Sequence, residues 1–385
     1  MVSDVTRYVP APAQRELWAR AAGRCQFDGH NRLLYSSCVT QEAVNVAQKA
    51  HIYAFSEKGP RGRGPYKDNL DRLNDVSNLM LMCYDCHTKI DQDKEGLRYS
   101  AELLIQWKEL HEQRIEIVTG IAQDKKSHVV LYGANIGSEK TLIEYHDCVR
   151  GMFPHRYPAS ERPIQISTKS EIKDNSSQYW QAESLHLLNV FQKKIVPIID
   201  DDACKHFSLF ALAPQPLLVQ LGALFTDKIS VEGYQPHREP KGWRWHDCGD
   251  EFDYVVHRPE RNHERVALIV SLSDNVPKDR ITRVIGDDVS IWEITVENPH
   301  NDLIKAKQQV SMFRQRMRSL IVEIKKQHGA KTPLHIFPVM PVSCSIELGR
   351  IRMPKVDMPW LIYDHDVVTQ EFVKALEIKG DLYDD

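Results

Sequence analysis

At 385 residues the chain has room for two or three domains, each able to bury its own core. Its 42% apolar and 27% charged composition is that of an ordinary globular protein, and a net charge of −3 excludes one whose whole surface binds nucleic acid. The longest nearly apolar run, residues 216–225, is too short to span a bilayer, and the N-terminus has no signal-peptide pattern. The eight cysteines are scattered apart from Cys83 and Cys86, which is no disulfide framework for a chain of this length; a reducing cytoplasm is expected.

In chain order, residues 13–22 read as a helix ended by Gly23. Cys25 and His30 follow in a C-x4-H arrangement, with Cys38 further on. Apolar alternation over residues 44–51 predicts a strand that closes on Ala50-His51. Residues 57–67 set Lys58, Arg61, Arg63 and Lys67 against the single carboxylate of Glu57, although residues 1–120 balance at 16 Lys+Arg and 16 Asp+Glu. The glycines of this loop allow backbone amides close to phosphates, and its four cations offer sequence-independent attraction to a DNA backbone. Next comes Asn78-Leu-Met-Leu-Met-Cys83-Tyr-Asp-Cys86-His87-Thr-Lys-Ile-Asp91. It combines an alternating apolar run with a C-x-x-C pair, whose thiolates can hold one tetrahedral ion from a tight turn. His87 then opens a polar, potentially helical segment and points away from that ion. Residues 100–118 read as a helix with Ser100 as N-cap, Leu103, Trp107, Leu110 and Arg114 on one stripe, and Gly120 at its end. Residues 121–127 are a short polar linker.

The order His51, Asn78, His87, with the third beside C-x-x-C, resembles the HNH endonuclease family over roughly residues 20–118. The resemblance implies a ββα-metal module, a two-stranded hairpin packed on a helix. It implies a structural zinc, for which Cys25, His30, Cys83 and Cys86 are the candidates and Cys38 the rival for the fourth position. It assigns His51 as general base, because a neutral imidazole can take a proton from water near pH 7. His87 would hold a divalent ion, expected to be Mg²⁺, and Asn78 would tie down the loop that carries His51. Many relatives have Asp or His before the base, where this chain has Ala50; Asp91, four residues after His87 and on the same helix face, is the candidate second metal ligand.

Beyond residue 127, residues 128–133 read as a buried strand leading into a turn at Gly133, Asn135 and Ile136 and a helix start near Gly137, the opening of an α/β unit. An internal repeat supports this. Phe210, Pro214, Gln220, Leu221 and Gly222 align without gaps on Phe337, Pro341, Glu347, Leu348 and Gly349 at a constant offset of 127. The opening strand recurs at residues 265–271, and a long helix over 302–328, with Val310, Phe313, Met317, Leu320 and Ile324 as its stripe, has a counterpart near 178–194. The fold class is therefore α/β, with two tandem Rossmann-like halves, about 128–260 and 261–385, behind the nuclease-like module.

Two such fused halves resemble the SAVED domain, a fusion of two CARF-like units. The arrangement of HNH domain (1–120), linker (121–127) and SAVED domain (128–385) is similar to the HNH–SAVED effector nucleases of the bacterial antiphage system CBASS. The resemblance implies that a CD-NTase makes a cyclic di- or trinucleotide on infection, that the SAVED domain binds it, that protomers form a homo-oligomer, and that the HNH domains degrade double-stranded DNA in the cytoplasm. The ligand is expected where strand ends converge, at Gly133, Asn135, Ile136, Gln215, Ser271, Ser273, Asn275 and Ser343. Tyr234, His237, Arg238, Lys241, Trp243 and Trp245 mix aromatics with cations in one loop, suited to base stacking and phosphate contact, with core packing as the plain alternative for the tryptophans. Arg350 is either a phosphate ligand or part of a solvated helix face. Two rival readings are a modification-dependent restriction endonuclease, which should carry a net basic C-terminal region, and a non-enzymatic scaffold, for which Ala50 is the best argument.

Overall fold

The computed structural model describes residues 8–37, 39–135, 142–166, 176–201, 204–247, 249–366, 369–380 and 382. Cys38, Ile136 and Gly137, named above as candidates, lie outside them. The chain divides into two compact units, Met1–Ala122 and Gln123–Asp385.

The first unit opens with α1 (Ala11–Arg20). β1 (Ala47–His51) pairs antiparallel with β2 (Leu79–Cys83), so that His51 stands opposite Leu79 and Ala47 opposite Cys83. The strand starts three residues later than the alternation predicts, because the N–H groups of Val44 and Val46 bond instead to the carbonyls of Tyr35 and Leu34. All five residues of β2 are buried. It runs directly into α2 (Tyr84–Gln92), which carries both Cys86 and His87.

The last helix, α3 (Ala101–Thr119), starts where Ser100 Oγ accepts the Leu103 N–H at 3.2 Å. Its buried face is not the expected stripe. Leu104, Lys108 and His111 face inward, while Leu110 is exposed. The polar members are satisfied there: Lys108 pairs with Glu112, and His111 Nε2 donates to the Ala21 carbonyl at 3.1 Å. A stripe anchored on Leu103, Trp107 and Leu110 misses a face that includes buried polar pairs.

In the second unit the elements are β3 (Lys126–Gly133), α4 (Tyr145–Met152), the short β4 (Tyr157–Pro158) and β5 (Ile164–Gln165), α5 (Ser177–Lys194), α6 (Val196–Asp200), β6 (His206–Leu212), α7 (Gln215–Phe225) and β7 (Ser230–Gly233). A small hairpin, β8 (His237–Arg238) and β9 (Lys241–Gly242), and β10 (Val255–His257) lead to β11 (Arg265–Ser271), α8 (Lys278–Ile285), β12 (Val289–Thr295), α9 (Lys307–His328), β13 (Leu334–Val339), α10 (Val342–Arg350), β14 (Trp360–His365) and β15 (Phe372–Ile378). The first sheet has the order β4-β3-β6-β7, with β5 also on β3, and is parallel throughout. The second has the order β10-β12-β11-β13-β14-β15, parallel except at its two edges. Its central strands are buried on both faces, which requires the near-continuous apolar runs seen in β11 and β13. The helix predicted from residue 302 starts at Lys307, because Gln309 Oε1 accepts the N–H groups of Lys305 and Ala306 at 2.7 and 2.9 Å.

The repeat has a physical meaning at the join between the halves. Pro214 and Pro341 are the N-caps of α7 and α10, and these two helices pack against each other. A Cβ built on Gly222 would stand 2.0 Å from the Ile346 carbonyl oxygen; one on Gly349 would stand 1.9 Å from that of Val219. The paired glycines let two helix backbones touch, so each copy of the repeat supplies half of one crossing. Gln220 and Glu347, the polar match, are both buried beside it. Among the described residues no helix is long and apolar enough to cross a membrane.

Candidate active site and ligand cavity

Four side chains converge beside the hairpin. The ligand atoms of Cys25, His30, Cys83 and Cys86 all lie within 4.8 Å of one another. His30 Nδ1 is 3.2 Å from Cys86 Sγ and 3.5 Å from Cys83 Sγ, and the Cys83 N–H points at Cys25 Sγ at 3.4 Å. Burial pushes the thiols of Cys25 and Cys86 up, so these two stay protonated unless a cation joins them. A Cys₃His set with separations of this size fits a tetrahedral zinc.

Asn78 is buried and fully used. Its Oδ1 accepts the Tyr53 N–H at 2.9 Å, and its Nδ2 donates to the carbonyls of Tyr53 and Leu73 at 3.1 and 2.9 Å. The Ile52 N–H bonds to the Asn78 carbonyl at 2.9 Å. The residues after His51 are thus clamped to the start of β2. The Tyr53 ring in turn lies where a side chain on Gly64 would be, 2.2 Å from its Cβ position, so the basic loop passes close only because that residue is glycine. His51 Nε2 lies 3.0 Å from Asn74 Oδ1, a partner the sequence did not flag. On α2, His87 Nε2 lies 3.2 Å from Asp91 Oδ2, with both side chains partly exposed at 28% and 47%.

Of the four cations read as phosphate contacts, Lys58 and Lys67 are exposed, and Arg63 is half-buried with its Nε donating to the Phe55 carbonyl at 3.2 Å. Arg61 is different. Its side chain is 3% exposed, and its guanidinium donates to the carbonyls of Ile52 (2.6 Å), Ile90 (2.9 Å) and His51 (3.4 Å). The expectation that it meets DNA phosphate is corrected, because its donors are turned into the protein.

The expected ligand residues of the second unit separate in the same way. A cavity of about 860 Å³ opens at Leu212, the last residue of β6, and is lined by Lys241, Trp243, Trp245, Arg150, Arg244, His237 and His246 among others. That size suits a small-molecule ligand. Both tryptophans line it while remaining largely buried: Trp243 packs edge-on against Phe210, and Trp245 Nε1 donates to Glu232 at 2.8 Å. Tyr234 is core, stacked on Phe210 at 4.3 Å. His237 is 5% exposed, lies tilted against His246 with ring centroids 4.7 Å apart, and neither ring nitrogen has a partner among the described residues. Burial, reinforced by His246, pushes it down to about 4. Arg238 is exposed on the hairpin beside Lys241. The sequence did not single out Arg150, Arg244 or His246; the last two continue the Trp243-to-Trp245 run and were within reach, whereas Arg150 arrives from α4.

Other candidates serve the framework instead. Arg350 is buried, with bonds to Glu347 and to the carbonyls of Thr226, Ile229 and Val231 at 2.7–3.3 Å, which corrects both the phosphate and the solvated-face expectation. Ser343 is buried with its N–H and Oγ on Gln235 Oε1. Gln215 Oε1 accepts the Met340 N–H at 3.1 Å, Ser271 Oγ donates to Glu293 at 2.9 Å, and the Asn135 carbonyl accepts the Tyr179 hydroxyl at 2.9 Å. Gly133 is buried at the end of β3, Ser273 donates its N–H to the Val339 carbonyl, and Asn275 is exposed. Gln215, Ser343 and Arg350 thus bond across the two halves, Ser271, Ser273 and Asn135 bond within one half, and the cavity is lined mainly by residues 236–247 and α4.

Residues 25–94 match the HNH endonuclease family, and residues 187–378 match SAVED, the SMODS-associated and fused to various effectors sensor domain. The chain is an HNH–SAVED protein, the domain pairing of CBASS effector nucleases. Its first unit is an endonuclease domain of the phosphodiester-hydrolysing HNH type. No curated protein matches it. Similar solved structures include the Acinetobacter baumannii Cap4 SAVED/CARF-domain containing receptor with the cyclic trinucleotide 3′3′3′-cAAA, at 13% identity and a TM-score of 0.43, covering 76% of this chain and 65% of that one. The Moraxella osloensis Cap4 receptor is 12% identical with a TM-score of 0.39, covering 80% of this chain and 69% of that one. The HNH–SAVED chain thus spans about two thirds of these relatives' length.

Proposed function

We propose that this HNH–SAVED protein is an antiphage DNA endonuclease switched on by a cyclic di- or trinucleotide in the bacterial cytoplasm, acting on double-stranded DNA as a ligand-induced homo-oligomer. The observation that carries the nuclease half is the clamp of Asn78 on the segment after His51, with α2 and its His87–Asp91 pair following directly from the same hairpin. With Nε2–H donated to Asn74 Oδ1, the basic nitrogen of His51 is Nδ1. Nδ1 takes a proton from water as the water oxygen attacks phosphorus, the P–O3′ bond breaks, and the leaving oxygen gains a proton from solvent. General-base assistance of this kind contributes about 10²–10⁴-fold. His87 and Asp91 are two adjacent donors on one helix face and would hold a divalent ion such as Mg²⁺. Such an ion supplies Lewis acidity at the phosphate and at the leaving oxygen. Lys58 and Lys67, and the half-buried Arg63, are the phosphate-facing cations of the loop. We assign the structural zinc to Cys25, His30, Cys83 and Cys86.

For the sensor half, the cavity offers indole edges for bases, Lys241, Arg244 and Arg150 for phosphates, and the neutral His237 as a donor–acceptor for a base edge. Its cations are matched by Glu144, Asp147 and Asp247, a balance that favours a small polar ligand over a DNA duplex. The test is calorimetric titration with a panel of cyclic di- and trinucleotides. One of them should bind, and the double variant Lys241→Ala/Arg244→Ala should weaken it at least tenfold; binding that ignores both substitutions would place the ligand elsewhere.

A further inference from the structure

We infer that Arg61 is a positioning residue of the nuclease site, locking the segment behind His51 to the helix that carries His87 and Asp91. The inference rests on the nuclease reading above. Burying a guanidinium is costly unless its donors are met, and here they are met by two elements at once. Its fork takes the carbonyls of His51 and Ile52 at the end of β1, and that of Ile90 near the end of α2. The Ile90 carbonyl belongs to the last turn of α2, where carbonyls lack partners within the helix and a cation is favoured. A second link runs through the carboxylate: Arg61 NH2 lies 3.8 Å from Asp91 Oδ1, while Asp91 Oδ2 lies 3.2 Å from His87 Nε2. Arg61 therefore touches the backbone of the proposed base on one side and orients the proposed metal ligands on the other. Its backbone is held at φ +60, in the left-handed region that a β-carbon disfavours, in keeping with a side chain that dictates where its main chain goes. A lysine, with one point of attachment, cannot span these carbonyls.

The experiment compares full-length wild type, Arg61→Lys, Arg61→Met and His51→Ala, each normalised to bound zinc. Mn²⁺ affinity is read by electron paramagnetic resonance on resting protein, and kcat, KM for DNA and the salt dependence of KM are read under the condition that activates the wild type. Positioning predicts that both Arg61 variants lose about 10–100-fold in kcat and bind Mn²⁺ about tenfold more weakly, although a positive charge has been removed in Arg61→Met; KM and its salt dependence stay unchanged. Unchanged or tighter Mn²⁺ binding would overturn the inference. So would a raised KM with the salt slope reduced by about 0.9 and kcat intact, the signature of a lost phosphate contact. The two readings separate cleanly: cleavage by His51→Ala at the wild-type rate defeats the nuclease assignment, whereas a dead His51→Ala beside unaffected Arg61 variants defeats only the positioning role.

Discussion

Gly222→Ala should loosen the join between the two SAVED halves, and the cost can be worked from the crossing of α7 and α10. The new Cβ would stand 2.0 Å from the Ile346 carbonyl oxygen and 3.0 Å from the Arg350 nitrogen, both backbone atoms that cannot rotate away. A C–H···O contact settles at about 3.3 Å or more, so the helices must part by about 1.3 Å. A gap of about 0.5–1 Å already forfeits a quarter to a half of the dispersion energy of the atoms lining it, and overpacking a core costs about 1–3 kcal/mol even where side chains can move. With backbone on both sides we expect about 3–5 kcal/mol, which at about 2–4 °C per kcal/mol lowers the melting temperature by roughly 6–20 °C. The assay is urea and thermal unfolding followed by tryptophan fluorescence. It reports mainly on the second unit, since Trp180, Trp243, Trp245, Trp292 and Trp360 lie there and only Trp18 and Trp107 do not. Gly349→Ala should behave alike, because its Cβ meets the Val219 carbonyl at 1.9 Å. The double variant should cost less than the sum, since helices already parted for one methyl admit the other. A Gly222→Ala protein within about 0.5 kcal/mol of wild type, the range of an ordinary surface change, would refute backbone contact at the crossing.

Further predictions follow from the two sites. Metal analysis should find one zinc per chain, and Cys86→Ser or exhaustive chelation should abolish the folded first unit while cyclic-nucleotide binding persists. Asn78→Ala leaves the Tyr53 N–H and the Tyr53 and Leu73 carbonyls without their partner, and at about 1–3 kcal/mol for a buried unsatisfied group the first unit should lose roughly 3 kcal/mol in chemical denaturation. His206 sits buried against Ser127, and burial, with the nearby Arg156 next in effect, pushes it down to about 3. The unfolded chain therefore binds a proton below about pH 6.5 that the native state refuses until about pH 3. Stability falls as pH drops through that window, by up to about 1.4 kcal/mol per pH unit for this one group. His206→Gln should flatten the denaturation midpoint between pH 6 and 4, and an unchanged slope would mean that His206 titrates normally in the fold.

Much of this was legible from residue spacing. Cys83-x-x-Cys86 followed by His87, with His51 and Asn78 ahead of it, encodes a site through local geometry: the pair sits on one turn, and the histidine is carried by the helix that follows. The offset of 127 between the two Leu-Gly pairs encodes the helix crossing, since a glycine is needed in each helix wherever two backbones meet. What sequence could not give is which way a long polar side chain turns. Arg61 reads as a surface cation in a basic loop, and Arg350 as either a phosphate ligand or a solvated helix-face cation; each is decided by carbonyl groups from remote segments, Ile90 for the first and Ile229 and Val231 for the second. Asn74 beside His51 was invisible for the same reason, since a short irregular turn rather than a periodic element brings it there. The buried face of α3 was misjudged because Lys108 and His111 are inside with their partners, against the apolar rule.

The central claim is a nuclease gated by a small cyclic nucleotide, and plasmid cleavage tests it most directly. Purified full-length protein is incubated with supercoiled plasmid and Mg²⁺, alone and with each member of a panel of cyclic di- and trinucleotides, beside His51→Ala. The account predicts cutting only with a particular nucleotide and none in the variant at any concentration of it. Cutting by wild type without any nucleotide, or by His51→Ala at the wild-type rate, would contradict it.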